Sequence, residues 1–349
     1  PLMLTGVLLL ISLVSIIFVS GGSHFQDPLF CVFVVFSFTS VIDLIISLEE
    51  DGLISGFMEV YVREGEPYLR TAHGIMICYW GGGIHYGLYL AMITAIGQRK
   101  SGGGLGLFWL GSLMMSIVVF LGGGLIGKYS SDLSPAFLLN LPYVLIPIWA
   151  GVRLFQQPKA LPCLSPEKVA EEQRKRLYQR PGGGGLVLLL LLTAAFTFFR
   201  GGGGAGSPQG VVLDCPADSC FEYIYQHEPY LRDPVGGAKV QMLIYMFYVL
   251  PFFCLCIYGL VLPGCSWLPG GGLVLAGAVA QAGGAHVGSS LHARTPFPYQ
   301  TPGGVWWSFL LTNVLYALGP QLGGDRCLRC PAFFLPAAPA SLGGGKKHQ

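Results

Sequence analysis

The sequence predicts an all-α, polytopic membrane protein, and its composition and its apolar stretches carry that prediction. Of the 349 residues, 52% are hydrophobic and only 11% are charged, whereas charged residues make up about 25% of a typical soluble domain. The mean hydropathy is +0.59, and many stretches approach the roughly 20 apolar residues that a helix needs to cross a bilayer. These features exclude an ordinary water-soluble enzyme and a disordered chain.

Nine candidate spans divide the chain into one leading helix and two sets of four. They are residues 2–20, 29–48, 71–96, 105–127, 135–155, 186–199, 240–262, 273–292 and 305–322. Because the first stretch starts at Pro1 inside an apolar run, we expect the natural chain to begin further upstream. We expect the repeated glycine runs to form loops, since each Gly costs a helix about 1 kcal/mol relative to Ala. These runs are residues 81–83, 102–104, 122–124, 182–185, 201–204, 270–272 and 343–345.

Basic residues in the short connections predict which helix ends face the cytoplasm. The connection 156–181 contains six Lys or Arg residues, so we assign it to the cytoplasm. Alternation then puts Arg99-Lys100 and the C-terminal tail on the same side, and segments 49–70 and 200–239 on the lumenal side.

The tail ends in Lys346-Lys347-His348-Gln349. Two lysines at these positions match a cytosolic dilysine signal, which is an address that a receptor reads. We therefore expect the coat-protein retrieval machinery to bind the C-terminus. The corresponding residence is the membrane of the endoplasmic reticulum (ER) and of the ER–Golgi intermediate compartment.

Two repeated sequence motifs indicate an internal duplication. Glu66-Pro67-Tyr68-Leu69-Arg70 recurs as Glu228-Pro229-Tyr230-Leu231-Arg232, each time just before a span. Asn140-x-x-Tyr143-x-x-x-Pro147 recurs as Asn313-x-x-Tyr316-x-x-x-Pro320, each within the fourth span of its set. Both units begin on the cytoplasmic side, so they form a parallel repeat. The predicted divisions are an N-terminal helix at 1–25, a first unit at 26–155, a basic linker at 156–181, a second unit at 182–322 and a tail at 323–349.

Polar side chains in or beside the spans are the candidates for a binding site. An ionisable group inside a bilayer costs about 2.5–3.5 kcal/mol on insertion scales, so Asp43 either lines a ligand cavity or serves helix packing. Asn140 and Asn313, each with a Tyr on the same helix face, either bind a ligand hydroxyl or bond neighbouring helices. We expect such groups to converge on a hollow that a lipid can fill. The full candidate set is Asp43, Glu66, Trp80, His85, Asn140, Tyr143, Glu228, Tyr245, Asn313 and Tyr316.

The duplicated Glu-Pro-Tyr-Leu-Arg element has two interpretations. The first is structural: Pro starts the next helix, and Glu is four residues from an Arg with which it can pair, although an exposed pair is worth little. The second is that the Glu carboxylate reaches into a cavity.

The ten cysteines suggest neither a metal site nor an extensive disulfide framework. Cys215 and Cys220 either form a disulfide on the oxidising lumenal side or remain free thiols. Cys327-x-x-Cys330 lacks the second pair that a zinc site needs. We expect no metal and no cofactor, and the net charge of +2 gives no indication of nucleic-acid binding.

Several segments together resemble one known family, the transmembrane 6 superfamily, over nearly the whole chain. They are Phe57-Met-Glu-Val-Tyr61, Glu64-Gly-Glu-Pro-Tyr-Leu-Arg70, Pro263-Gly-Cys-Ser-Trp-Leu268 and Ser290-Leu-His-Ala-Arg294. Pro142–Pro147 and Leu250–Phe253 are similar to sigma-two receptor segments, and Asn313-Val-Leu-Tyr316 resembles the substrate-facing Asn-x-x-Trp of the emopamil-binding sterol isomerase. The resemblance implies two tandem EXPERA domains, the four-helix unit that those proteins share.

The resemblance also implies a function in lipid metabolism. It suggests an ER protein that binds a sterol or another lipid, promotes secretion of triglyceride-rich lipoproteins and controls lipid droplets. Its partners would be membrane lipid, lipoprotein-assembly proteins and the retrieval coat. A sterol double-bond isomerase and a lipid transporter or scramblase remain as alternatives.

An isomerase needs a positioned acid and a positioned base. The candidates here are Asp43 with Glu66, or Asp43 with an acid near residue 81. The isomerase's His and Glu on the first helix are matched by Thr39 and Asp43, and Gly81–Gly83 and Tyr245 stand where a further carboxylate is expected. Because this set is incomplete, we expect a protein that handles lipid without catalysis.

Overall fold

The computed structural model describes residues 27–100, 103–127, 129, 135–157, 166–205 and 218–335, and within these ranges the chain is helical with no strand. The expected helix at 2–20, Cys215 and the Lys346-Lys347 signal lie outside the described residues. Cys220 is described only in its backbone, so the suggested disulfide is not tested.

The first unit consists of long helices joined by short turns. Helix α1 (Pro28–Glu50) is followed by the short α2 (Glu59–Gly65) and a 3₁₀ turn at Pro67–Arg70. Helix α3 (Ala72–Trp80) continues through a π-helical turn, Gly81–His85, into α4 (Tyr86–Gly97). Helix α5 (Gly103–Ile126), a 3₁₀ turn at Pro135–Asn140 and α6 (Leu141–Gln156) complete the unit.

The second unit repeats these elements in the same order. After the linker helix α7 (Pro166–Arg174) come α8 (Pro181–Ala205), the short α9 (Asp218–Gln226) and a 3₁₀ turn at Pro229–Arg232. Helix α10 (Gly237–Ile244) continues through a π-helical turn, Tyr245–Val249, into α11 (Leu250–Val261). Helices α12 (Leu268–Leu291) and α13 (Trp306–Arg329) follow. The π-helical turn occurs at the same place in both units, which adds a structural feature to the duplication that the repeated sequence motifs indicate.

The protein is an all-α, multi-pass membrane protein. Five described helices are long and apolar enough to cross a membrane: Pro28–Glu50, Gly103–Ile126, Phe137–Gln156, Pro181–Arg200 and Gly237–Val261. Glycine and polar residues dilute the apolar character of the other described helices that the sequence predicts as spans. Two of those, α12 and α13, have 24 residues each and are about 36 Å long at 1.5 Å per residue. The total of nine crossings stays a prediction.

The expectation that glycine runs form loops is wrong for the runs that the structure describes. Helical segments contain the runs at 81–83, 103–104, 122–124, 182–185, 201–204 and 270–272. Tertiary packing overrides helix propensity here. A Cβ on Gly122 would lie 2.8 Å from Val240, and a Cβ on Gly123 would lie 2.7 Å from the Tyr68 hydroxyl. These glycines therefore make room for side chains of neighbouring segments.

The two units pack against each other through α5 and α12, their equivalent third helices. A Cβ on Gly111 would overlap the carbonyl oxygen of Val274, and a Cβ on Gly277 would overlap the carbonyl oxygen of Phe108. The contact is reciprocal, because each glycine meets the residue three positions before the other glycine. Such reciprocity indicates an approximate two-fold relation between two copies of one fold. Small residues allow the helix backbones to approach this closely.

A second connection between the units lies at the end that the sequence assigns to the lumen. The Arg294 guanidinium, in the loop after α12, donates to the Glu50 carboxylate at 2.6 Å and to the backbone oxygens of Glu50 and Arg70. Nε2 of His292 lies 2.8 Å from the Asp51 carboxylate. Arg294 thereby satisfies a carbonyl at the C-terminus of α1, where intrahelical donors run out.

Gly277→Ala is expected to destabilise the protein, because the added methyl group overlaps the Phe108 carbonyl and forces α5 and α12 apart. Overpacking costs about 1–3 kcal/mol, so the midpoint of thermal unfolding in detergent should fall by several degrees. Gly272→Ala is the matched control on the same helix, since a Cβ there meets nothing within 4 Å. Its midpoint should hold or rise. Equal effects of the two substitutions would contradict the reciprocal glycine contact.

Candidate functional site

The first unit contains a cavity of about 300 Å³ between α1, α3, α5 and the start of α6. Ligand pockets run from about 300 to 1,000 Å³, so this cavity lies at the lower end of that range. Its wall combines aliphatic and aromatic side chains with a concentration of hydrogen-bonding groups. The lining groups with oxygen or nitrogen are those of Thr39, Ser40, Asp43, Tyr61, Glu66, His85, Tyr89, Ser116, Asn140 and Tyr143.

Glu66 and Asn140 meet directly at one end of this cavity. The Asn140 amide donates to Oε1 of Glu66 at 2.5 Å, and the Tyr61 hydroxyl donates to Oε2 at 2.9 Å. Glu66 lies in the loop before α3, where burial raises the pKa of its carboxyl while these two hydrogen bonds act in the opposite direction. The two duplicated sequence elements, 74 residues apart at this contact, are thus brought together by the fold.

The Glu-Pro-Tyr-Leu-Arg element is both a structural turn and the source of a cavity carboxylate. Pro67–Arg70 form the 3₁₀ turn that leads into α3, and Glu66 lines the cavity. The suggested pairing of Glu66 with Arg70 does not form. Arg70 Nε lies 3.9 Å from Glu50 instead, and the Glu66 carboxylate is bonded to Asn140 and Tyr61.

Asp43 reaches the cavity from α1 and lies against the π-helical turn. A Cβ on Gly81 would lie 2.7 Å from Oδ2 of Asp43, and a Cβ on Gly82 would lie 2.9 Å from Cα of Leu44. A side chain at Gly82 would therefore displace the backbone of α1, whereas a side chain at Gly81 would require the Asp43 carboxylate to move. Among the described residues that line the cavity, none is Lys or Arg, so the wall offers no permanent cation to Asp43 or Glu66.

Trp80 and His85 both contact Ser112 on α5. Trp80 Nε1 donates to the Ser112 hydroxyl at 2.8 Å, and His85 Nε2 lies 2.7 Å from the same oxygen. His85 also lines the cavity. Trp80 lies beside α12 instead, where a Cβ on Gly284 would be 2.8 Å from its ring. The structure thus assigns His85 to the cavity wall and Trp80 to the contact between the units.

The equivalent region of the second unit is filled by Arg200, which comes from α8. Its guanidinium donates to Oε1 of Glu228 at 3.1 Å and to Oδ1 of Asn313 at 2.8 Å. Nε2 of His286 lies 2.8 Å from the same Glu228 oxygen, and Asn313 donates to it at 3.2 Å. All four side chains are at most 4% exposed.

Tyr245 and Tyr316 complete the surroundings of Arg200. The guanidinium carbon lies 5.4 Å from the Tyr245 ring centre and 4.8 Å from that of Tyr316. The four candidate residues of the second unit therefore converge, as expected, but on a side chain and not on a hollow. Burial alone would raise the pKa of the Glu228 carboxyl, yet Arg200 and His286 hold that pKa well below its usual range.

Three residues of these networks, Tyr61, Arg200 and His286, were not predicted as site residues. Tyr61 carries a sequence signal, because a tyrosine recurs at 223, five residues before the second duplicated Glu. Arg200 carries a weaker one, because it is a cation near the end of an apolar stretch. Its pairing with Glu228 depends on how α8 packs beside the loop before α10, which the sequence pattern does not reveal.

These observations define the class of protein: a polytopic helical membrane protein with an EXPERA domain. The family model described as EXPERA (EXPanded EBP superfamily) matches residues 217–323. A second model, described as transmembrane 6 superfamily member 2-like, transmembrane domain, matches residues 1–165. No solved structure matches the chain.

Curated relatives identify the family within that class. Transmembrane 6 superfamily member 2 of Rattus norvegicus is 55% identical over 332 residues, which cover 95% of this chain and 86% of that protein. The Homo sapiens protein of the same name is 55% identical over 327 residues, covering 94% and 85%. The chain therefore belongs to the transmembrane 6 superfamily member 2 family, and the resemblance found in the sequence motifs is confirmed.

The same substitution at the two duplicated glutamates is expected to have unequal effects. Glu228→Gln leaves the Arg200 guanidinium buried without a counter-charge, and breaking a buried pair costs about 3–5 kcal/mol. Glu66→Gln removes a charge whose burial is unfavourable and keeps acceptor and donor atoms for its neighbours, so its cost should stay within about 1 kcal/mol. Thermal unfolding of both variants in one detergent measures the contrast. Equal midpoints would contradict the assigned role of the Glu228–Arg200 pair.

Proposed function

We propose that the protein is an ER membrane regulator of lipid metabolism that binds a sterol or another lipid in the cavity of the first unit. Through this binding it promotes secretion of triglyceride-rich lipoproteins and controls lipid-droplet content. The observation that carries the proposal is one cavity in which apolar walls and a concentrated set of hydrogen-bonding groups face each other. As partners we propose membrane lipid, lipoprotein-assembly proteins and the retrieval coat.

The chemistry of the cavity suits an amphiphilic lipid better than a wholly apolar one. Aliphatic and aromatic side chains such as Ile42, Ile117 and Phe120 offer surface for rings or an acyl chain. Asp43 and Asn140 offer hydrogen bonds to a hydroxyl group, and a guest without that group leaves buried polar atoms unpaired. At about 30 Å³ for each water-sized group, the cavity holds about ten such groups. That space fits one end of a sterol or a short length of acyl chain.

A second candidate function is sterol double-bond isomerisation, which the presence of two carboxyl groups on one cavity favours. This reaction needs one group to protonate a ring carbon and another to remove a proton elsewhere. We favour binding without turnover, because Gly82 leaves no room for a further acid beside α1 and the chain has glycine, not an acid, at position 81. Purified wild-type chain in D2O, given a sterol with a displaced ring double bond, distinguishes the two. An isomer with one solvent deuterium would favour the enzyme, and bound but unchanged sterol would support the binding protein.

Filling the cavity is expected to prevent lipid binding. Ser116 on α5 lines the cavity and is 5% exposed, whereas Leu105 on the same helix is 41% exposed and outside the lining. Ser116→Phe should reduce cross-linking of a photoreactive cholesterol analogue at least about fivefold, equivalent to about 1 kcal/mol of affinity. Leu105→Phe, the matched control, should leave it unchanged. The measurement uses purified protein in nanodiscs, with peptide mapping to α1, α3 and α6.

Undiminished labelling of a folded Ser116→Phe variant would contradict the cavity assignment. The same pair of variants tests the cellular part of the proposal in a hepatocyte line that lacks the protein. Leu105→Phe should restore secretion of triglyceride-rich lipoproteins, and Ser116→Phe should not. Restoration by both would separate the secretion role from the cavity.

The proposed residence in the ER and the ER–Golgi intermediate compartment depends on the C-terminal lysines. Replacing Lys346 and Lys347 with Ser should shift the protein to later compartments, because the retrieval receptor no longer recognises the tail. A control that replaces Arg174 and Lys175 of the linker with Ser changes the charge equally and should leave the distribution unchanged. Fluorescence microscopy with compartment markers measures both, and an unmoved lysine variant would argue against retrieval by this signal.

A further inference from the structure

We infer that the second unit is a cation-binding site that the chain has filled with its own side chain, the guanidinium of Arg200. The first unit leaves the equivalent region open as a cavity, whereas the second unit holds a permanent internal occupant. The corollary that a lipid guest binds only the first unit rests on the proposed function. The filled site itself rests on the geometry of the second unit alone.

The two sites are built from the same parts. In the first unit the Glu66 carboxylate accepts a hydrogen bond from Asn140, and in the second the Glu228 carboxylate accepts one from Asn313. Each glutamate precedes the same Pro-Tyr-Leu-Arg turn, and each asparagine lies three residues before a tyrosine. The duplicated fold thus produces the same carboxylate and amide at the same place in both units.

The first helix of each unit brings opposite charges to this place. Helix α1 contributes Asp43, which lies against Gly81 of the first π-helical turn. Helix α8 contributes Arg200, which lies against Tyr245 of the second π-helical turn. In the first unit the cavity is therefore lined by two acids, Asp43 and Glu66, the second of which corresponds to Glu228. In the second unit a cation faces it and bonds it at 3.1 Å.

Arg200 has the surroundings of a bound cationic ligand. Its guanidinium carbon lies 5.0, 5.4 and 4.8 Å from the ring centres of Phe196, Tyr245 and Tyr316, within the distance of about 6 Å at which aromatic faces attract cations. The Glu228 carboxylate and the Asn313 amide oxygen accept its hydrogen bonds. An acid, an amide and three aromatic faces are a set of groups that binds a guanidinium or an ammonium ion.

A tethered occupant has an advantage over a free ligand. Free ligands lose translational and rotational freedom on binding, whereas folding has already fixed the Arg200 side chain beside Glu228. As long as Arg200 is present, a cation or a lipid amine therefore gains no entry to the second unit. Removal of the side chain beyond Cβ should uncover the site.

The direct test is chemical rescue of Arg200→Ala. Ethylguanidinium reproduces the atoms that this substitution removes, and ethylurea is its uncharged counterpart. The variant should unfold at a lower temperature than the wild type, and ethylguanidinium should raise its midpoint in a saturable way while ethylurea does not. The wild-type chain supplies the baseline, because the acidic cavity of the first unit can take up the same cation. A rise no larger than the wild-type rise would overturn the inference.

A second variant keeps the test decisive when the first does not fold. Arg200→Ala combined with Glu228→Gln removes both charges of the buried pair, so that neither is left without its partner, and it opens the same space. Its lining is neutral, so ethylurea should now stabilise it and ethylguanidinium should do no more than in the wild type. Stabilisation by neither compound, or by ethylguanidinium above the wild-type baseline, would overturn the inference.

The outcome for the second unit is separable from that for lipid binding. Rescue of Arg200→Ala by ethylguanidinium requires no lipid, so it stands even when the cholesterol analogue fails to label the first unit. Labelling of Tyr245 or Tyr316 by that analogue in the wild-type chain would contradict the internal occupant directly. Labelling confined to the first unit supports it.

Discussion

A buried glutamate bonded to an asparagine is the constraint on which both helical units depend. In each unit the glutamate stands before the Pro-Tyr-Leu-Arg turn and the asparagine stands at the start or in the first half of the last helix, so the contact joins the loop before the second long helix to the last helix. A carboxylate removed from water is unfavourable unless hydrogen bonds or an opposite charge compensate it. The second unit supplies an arginine, whereas the first supplies a tyrosine, an amide and a polar cavity. The difference between the units follows from how each compensates the same acid.

Helix α5 connects this chemistry to the contact between the units. One face presents Ser116 and Ile117 to the cavity, while Gly111 on the same helix packs against the α12 backbone. The position of the cavity wall therefore depends on α12, which belongs to the other unit. His286, also on α12, bonds Glu228, so the filled site of the second unit helps to fix the helix against which α5 rests. The second unit thus supports the first, even though Arg200 fills the region that is open in the first unit.

The sequence predicted the class of the protein, its duplication and the contribution of both repeated elements to one place in each unit. It predicted these because apolar length and repeated motifs are properties of short segments. The prediction that glycine runs form loops is wrong because helix propensity considers only local sequence. At Gly123 a side chain is excluded by the Tyr68 hydroxyl, which only the tertiary fold brings close. Trp80 was placed in the candidate site on its residue type, and only the packing of α3 on α12 separates it from His85.

The charge inversion between Asp43 and Arg200 explains how a duplicated protein keeps one open site. Two open cavities, each with two facing acids, would require both units to compensate buried negative charge through solvent or a guest. Placing a guanidinium in the second unit satisfies Glu228 and Asn313 together and fills the space between three aromatic rings. The charge of Glu228 is thus compensated from within the chain, by a guanidinium that is itself buried. In the first unit Asp43 and Glu66 line a cavity without a Lys or Arg among its described lining residues. Polar groups on a mostly apolar cavity wall are what a binding site for an amphiphilic guest requires.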